Sequence, residues 1–207
     1  MMPANIPMQA FFLTMLNFRQ DKFQQMNDEA LLAAYVNGEQ KAFEILYRRH
    51  CDPLYRFILR QCRQQTELCE EVFQDVWLSI IRNRQQFRNE AKFSSYLYQI
   101  ARNRIIDHAR QATSHHVDQH DANSDQLAIH HHQQPENKSQ FEICIELLQQ
   151  LILKLPVDQR EVFVLKQETE HTLEELAEIT QTSYETIKSR LRYAMKKLRE
   201  WLPGDCL

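Results

Sequence analysis

The sequence predicts an all-α protein: two small helical domains joined by a flexible linker, the C-terminal one containing a helix-turn-helix. Three observations carry this expectation. Among 207 residues there are only two glycines and six prolines, so long stretches run free of the residues that interrupt helices. Apolar residues recur at intervals of three and four through residues 27–110 and 141–202, the spacing of helices with one buried face. Residues 111–140 lack that periodicity. They hold six of the nine histidines (His115, His116, His120, His130, His131, His132), many Gln, Asn, Asp and Ser residues, and one basic residue, Lys138. Such a composition builds no core and reads as a tether.

Each element has its own justification. Residues 1–26 form a leader with no specified structure. Asn27-Asp28 opens a first helix that runs to Gly38, a natural C-terminal stop. A second covers Gln40 to Cys62 around Ala42, Phe43, Ile45, Leu46, Leu54, Tyr55, Phe57 and Ile58, with a break or bend at Pro53. A third spans Glu67 to Asn83 and buries Leu68, Val72, Val76, Ile80 and either Phe73 or Trp77. A polar loop, Arg84 to Ala91, leads to a fourth from Phe93 to Arg110, whose stripe is Phe93, Leu97, Ile100, Ala101 and Ile105. After the linker, Phe141 to Leu155 is a helix stopped by Pro156, and Asp158 to Gln167 is another. Residues 203–207 are a short tail.

Residues 172–200 carry the most information. Thr172 with Glu175, and Thr182 with Glu185, fit reciprocal capping boxes that satisfy the free N–H groups at a helix start. Between the two helices only Ile179-Thr180-Gln181 is left for a turn, which is the spacing of a helix-turn-helix whose second helix enters the DNA major groove. Ile187, Leu191, Met195 and Leu198 hold that helix on its domain, while Glu185, Lys188, Ser189, Arg192, Lys196 and Arg199 fall on the opposite side. Lys188 and Arg192 can donate to guanine edges or phosphates, and Ser189 permits close approach. Arg190, Lys196 and Arg199 suit phosphate positioning.

The net charge of −3 hides a segregation of charge. Residues 81–110 hold seven Lys or Arg against Glu90 and Asp107, and residues 184–200 hold six against Glu185 and Glu200. Two basic faces on an acidic body suggest two contacts with a phosphate backbone. The five cysteines (Cys51, Cys62, Cys69, Cys144, Cys206) are odd in number and form no C-x-x-C pair, which argues against a disulfide framework or structural zinc and for a reducing cytoplasm. No apolar run approaches the ~18 residues of a membrane span, so no membrane insertion is expected. The N-terminal MQAFFLTML lacks the basic segment and cleavage site of a signal peptide. Met2, Met8, Met15 and Met26 leave the start open. The linker histidines lack acidic or cysteine partners at fixed spacing, so adventitious metal binding is expected rather than a built site, and no cofactor is implied.

With these blocks in view, the chain resembles the bacterial extracytoplasmic-function (ECF) sigma factors, the smallest members of the sigma-seventy family. Leu155-Pro156, Gln159-Arg160-Glu161-Val162-Phe163, Glu175-Leu176-Ala177-Glu178-Ile179 and Thr186-Ile187-Lys188-Ser189-Arg190-Leu191 stand in the family's order. So do Ala42-Phe43-Glu44-Ile45-Leu46-Tyr47-Arg48-Arg49, Val72-Phe73-Gln74-Asp75-Val76-Trp77, and Phe93 through Tyr96-Leu97, Ile100-Ala101-Arg102-Asn103-Arg104 and Asp107. Two positions depart from the pattern. Gln181 stands where such turns often place Gly, which asks for a left-handed residue or a different turn, and Tyr96 stands where relatives often carry Trp.

The resemblance implies a non-enzymatic subunit that lends core RNA polymerase two promoter-reading surfaces and assists promoter opening. Its partners would be the core enzyme, promoter DNA and an anti-sigma factor. It assigns Tyr184, Glu185, Lys188, Ser189, Arg190, Arg192 and Lys196 to the upstream, minus-thirty-five element. It assigns Arg88, Asn89, Lys92, Tyr96, Arg102, Asn103 and Arg110 to the minus-ten element, where a flipped base could stack on Phe87 or Tyr96. Glu71, Gln74 and Asp75 become the polymerase-docking face. A free-standing helix-turn-helix regulator is the nearest alternative, but it leaves the 93–110 helix without a role. A His-rich metal-binding protein is the more distant one.

Overall fold

The computed structural model describes residues 22–85, 87, 92–115 and 139–206. Within them the structure is helical, with no strand: α1 Asp28–Val36, α2 Gln40–Gln61, α3 Thr66–Arg82, α4 Phe93–His115, α5 Gln140–Lys154, α6 Val157–Glu168, α7 Leu173–Thr180, α8 Tyr184–Trp201, and a closing 3-10 turn, Gly204–Cys206.

Local chemistry sets most of the boundaries. The Asn27 side chain accepts from the Ala30 N–H and starts α1; Gly38, at φ 98°, turns the chain into α2. Helix α2 runs through Pro53 without a break. Ser139 with Glu142 and Thr172 with Glu175 form full capping boxes at α5 and α7. The expected box at Thr182 is absent. Ser183 caps α8 instead, accepting from the Thr186 N–H, because the Thr182 N–H already closes the α7 end on the Ala177 carbonyl. Gln181 takes the left-handed conformation, φ 56° and ψ 43°, and its N–H serves the carbonyls of Ala177 and Glu178.

The fourth helix is longer than its sequence pattern. It continues through residues 111–115, and α5 begins at Gln140, so the segment expected to be a linker loses residues to helix at both ends. Its histidines from His116 to His132 lie outside the described residues. Residues 22–26 also differ from the expectation of an unstructured leader. Phe23 is buried, and the Arg49 guanidinium donates to the carbonyls of Gln24 and Met26.

In the N-terminal half, α2, α3 and α4 enclose Leu46, Leu54, Phe57, Ile58, Val72, Val76, Ile80, Phe93 and Leu97, each buried side chain contributing about 1.5–3 kcal/mol. Trp77 joins this core, edge-on to Phe43 at 5.8 Å. In the C-terminal half, Val162, Leu165, Leu176, Ile179, Ile187, Ala194 and Leu198 are buried. Met195, expected inside, is 44% exposed, and Ala194 takes the inward position. The two halves do not stand apart: their buried side chains form one connected apolar cluster, with α2 packed on α6 and α4 on α7.

Candidate nucleic-acid interface

Helix α8 presents the face expected of a recognition helix. Its apolar side docks through Ile187, Ala194 and Leu198, leaving Tyr184, Glu185, Lys188, Arg192, Lys196 and Arg199 exposed. Arg192 lies over the Tyr193 ring at 5.1 Å, and Lys196 sits 3.7 Å from Glu200. Both contacts are at the surface and can exchange for phosphate. Ser189 is half-buried and donates its hydroxyl to the Thr186 carbonyl, so it offers a small surface rather than a free donor. Arg190 is half-buried too and is held by Asp158 at 2.6 Å, tying α8 to α6.

On α4, Tyr96, Asn103 and Arg110 follow at intervals of seven and share one side. Asn103 and Arg110 are exposed, while Tyr96 is half-buried against Phe87 with ring centroids 5.3 Å apart. Burial raises the Tyr96 hydroxyl above its ordinary pKa, so the ring stays neutral and suited to stacking. Arg88 and Asn89 lie outside the described residues. Lys92 and Arg102 turn toward the C-terminal half. Lys92 Nζ is 2.5 Å from Glu175, and Arg102 Nε is 3.0 Å from Glu161 at an angle that makes no hydrogen bond.

On α3, Glu71 and Gln74 are exposed and Asp75 is 44% exposed. Asp75 lies 3.5 Å and Glu71 3.9 Å from the His108 ring of α4. The two carboxylates thus border a polar groove whose other wall carries Arg104 and Arg110 together with Asp107.

Sequence reasoning missed the groups that hold the halves together. Glu168 pairs with Arg56 at 2.7 Å and with Arg60. Arg160 is buried and donates to the carbonyls of Leu153 at 3.1 Å and Gln61 at 3.3 Å. His171 is also buried, with Nε2 2.9 Å from Ser94 Oγ, Nδ1 2.7 Å from Thr169 Oγ1, and its ring edge-on to Tyr98. The pairings that cross between the halves, Arg56 and Arg60 with Glu168, Gln61 with Arg160 and Ser94 with His171, span 77 to 112 residues, and no local pattern announces them.

This junction has a predicted pH dependence. Burial holds the His171 imidazole below its ordinary 6.5; Glu175 opposes that shift, and Lys92, His50 and Lys166 add to it. A base with a depressed pKa in the packed state binds its proton more readily when the halves separate. Packing is therefore fully favoured above pH 6.5 and weakens as pH falls toward the depressed value. The radius of gyration should rise between pH 7 and pH 5.5 in the wild type and rise less in His171→Gln; an unchanged pH response in the variant would exclude His171 as the cause.

Among the described residues no cluster of His, Cys, Asp and Glu could hold a metal, and no helix is long and apolar enough to cross a membrane. The sequence matches the Sigma-70 region 2 model over residues 46–115 and the Sigma-70 region 4 model over residues 145–198. The ECF RNA polymerase sigma factor SigM of Mycobacterium tuberculosis is 30% identical over 178 residues, 86% of each chain. The ECF RNA polymerase sigma factor SigW of Bacillus subtilis is 29% identical, over 80% of this chain and 91% of that one. The fold is similar to that of the sigma factor RpoE of Bartonella quintana, solved with the anti-sigma factor NepR: TM-score 0.65, 21% identity, covering 78% of this chain and 96% of that one. It is similar also to CnrH, solved with the cytosolic domain of CnrY: TM-score 0.59, 21% identity, 84% and 95% covered. The chain belongs to the ECF subfamily of the sigma-70 RNA polymerase sigma factors. It acts in transcription initiation, with core RNA polymerase and promoter DNA as its partners.

Proposed function

We propose that this sigma factor reads the upstream promoter element with α8 and the minus-ten element with α4, and that it docks on polymerase through α3. The observation that carries the reading is the two-sidedness of α8, which docks through Ile187, Ala194 and Leu198 while Glu185, Lys188, Arg192 and Lys196 face solvent. Tyr184, Ser189 and Arg190 flank those groups, Arg190 setting the orientation of the helix through Asp158. Around α4, Asn103, Arg110 and Tyr96 receive the minus-ten strand, joined by Arg88, Asn89, Lys92 and Arg102. Glu71, Gln74 and Asp75 form the acidic docking face. The protein performs no bond chemistry, works in the cytoplasm, and is restrained by an anti-sigma factor, as the partners of RpoE and CnrH suggest.

In the free chain, Glu175 and Glu161 occupy the Lys92 and Arg102 side chains that DNA phosphates would otherwise take. The packed arrangement is thus a resting state that opens on polymerase. A promoter carrying a pre-melted bubble tests the division of labour. Asn103→Ala should impair opening of duplex promoters and be rescued by the bubble, because capture of the melted strand offsets a melting penalty of a few kcal/mol per base. Lys188→Ala should stay defective on both templates. Equal rescue of the two variants would contradict the assignment.

A further inference from the structure

One cysteine pair departs from the expectation for a cytoplasmic protein: Cys144 in α5 and Cys206 in the C-terminal turn are joined by a disulfide, Cα to Cα 5.5 Å, across 62 residues. The bond closes a ring that contains α6, α7 and the whole recognition helix. The odd cysteine count and the lack of a C-x-x-C motif hid it from the sequence, since the two partners meet only when the tail folds back.

We propose that Cys144 and Cys206 are a reversible thiol–disulfide site, oxidised by peroxide and reduced by cytosolic thiols, that clasps the helix-turn-helix unit. The inference rests on the cytoplasmic reading above: in reducing compartments disulfides are uncommon, and those present are mostly transient and redox-sensing. Three features of the molecule favour it. Both cysteines are only half-buried and line an open groove of about 460 Å³ with Phe141, Ile145, Leu148 and Leu202, so small oxidants and thiols reach them. The other thiols are poor competitors: Cys62 and Cys69 are buried, burial pushing the Cys62 thiol up to about 11, and Cys51 is raised by burial and by Asp52. A side-chain contact, moreover, ties the tail to α5 beside the sulfurs. The Gln140 amide donates both to Cys144 Sγ at 3.8 Å and to Asp205 Oδ2 at 2.9 Å, keeping the tail on the start of α5.

The chemistry balances with one peroxide. The Cys144 thiolate attacks a peroxide oxygen, breaking the O–O bond and giving a sulfenic acid and water. The Cys206 thiolate then attacks that sulfur and expels hydroxide, which takes up a proton as a second water. Two thiols lose two electrons and two protons, and hydrogen peroxide is reduced to two waters. A cytosolic dithiol reverses the step through a mixed disulfide. Closure of a ring this long removes chain entropy from the unfolded state, so the oxidised unit melts higher.

The test uses the full-length protein. Labelled with a maleimide reagent in denaturant, which exposes the buried Cys62 and Cys69, five thiols should react after incubation in a glutathione buffer with the thiol excess of a cytosol, and three after stoichiometric hydrogen peroxide. Melting of the oxidised form should come at least about 5 °C higher. Cys144→Ser and Cys206→Ser should each lose that peroxide-dependent shift while matching the reduced wild type. A bond that survives the glutathione buffer would make the pair a fixed staple and overturn the proposal; so would five reactive thiols after peroxide. Transcription by the reduced protein with core polymerase is measured separately. If the reduced protein is active but its thiols do not respond, the redox inference fails while the functional assignment stands.

Discussion

Alanine at Lys188 or at Arg192 should each lower promoter-directed transcription about five- to a hundred-fold, the equivalent of the about 1–3 kcal/mol that a good base contact supplies. Both side chains are exposed on the solvent face of α8, and neither supports the core, so unfolding is not a competing explanation. The loss should appear in formation of the closed complex, as a rise in the sigma–polymerase concentration needed for half-maximal initiation. Arg190→Ala is the informative contrast. Its guanidinium is spent on Asp158, a carboxylate 63% exposed, and an ion pair so placed contributes about 0–1 kcal/mol. If all three variants lost activity equally, α8 would be read as a general basic surface rather than an oriented one.

Glu168→Lys should open the molecule. Glu168 is 8% exposed and faces both Arg56 and Arg60. Reversal removes the two pairings and puts a third cation beside Arg56 and Arg60, at a position itself largely shielded from water. Arg56 is half exposed and contributes little, so the effect comes mainly through Arg60. Like-charge juxtaposition at such a junction costs on the order of several kcal/mol, enough to move a packed population to a mostly open one. Small-angle scattering should show a larger radius of gyration with helicity retained, since the change lies at the junction rather than inside either half. Release of Lys92 and Arg102 should also raise the affinity of the free chain for single-stranded minus-ten DNA. A variant as compact as the wild type would show that the Glu168 contacts do not govern packing.

Much of the fold was legible because helices announce themselves locally. Asn27, Thr172 and Gly38 mark their boundaries through side-chain caps and a positive φ, and the stripe Phe93, Leu97, Ala101 is buried as its spacing predicts. Errors arose where two local solutions competed. Thr182 and Ser183 are adjacent possible caps, and only the closing hydrogen bond of α7 decides for Ser183. Met195 and Ala194 both lie near the seam of α8, and the smaller residue fits the closer approach. Left-handed Arg63, Gln64 and Gln181 carry no glycine signal, so their turns had to be inferred from what flanks them. The exposed part of the candidate interface was readable from charge on α8 and α4. Its occupied part was not, because Glu161, Glu168, Glu175 and His171 act on residues far away in the chain, and such contacts leave no periodic trace. The Cys144–Cys206 pairing was missed for the same reason.

Promoter selection by this protein is decided by transcription in vitro with purified core RNA polymerase, a promoter library, and the reduced full-length protein added or withheld. Promoter-selective transcripts should form only when both proteins are present, with selected promoters sharing one upstream and one minus-ten element. Tight, sequence-specific duplex binding by the protein alone, with no gain in initiation by core polymerase, would contradict it.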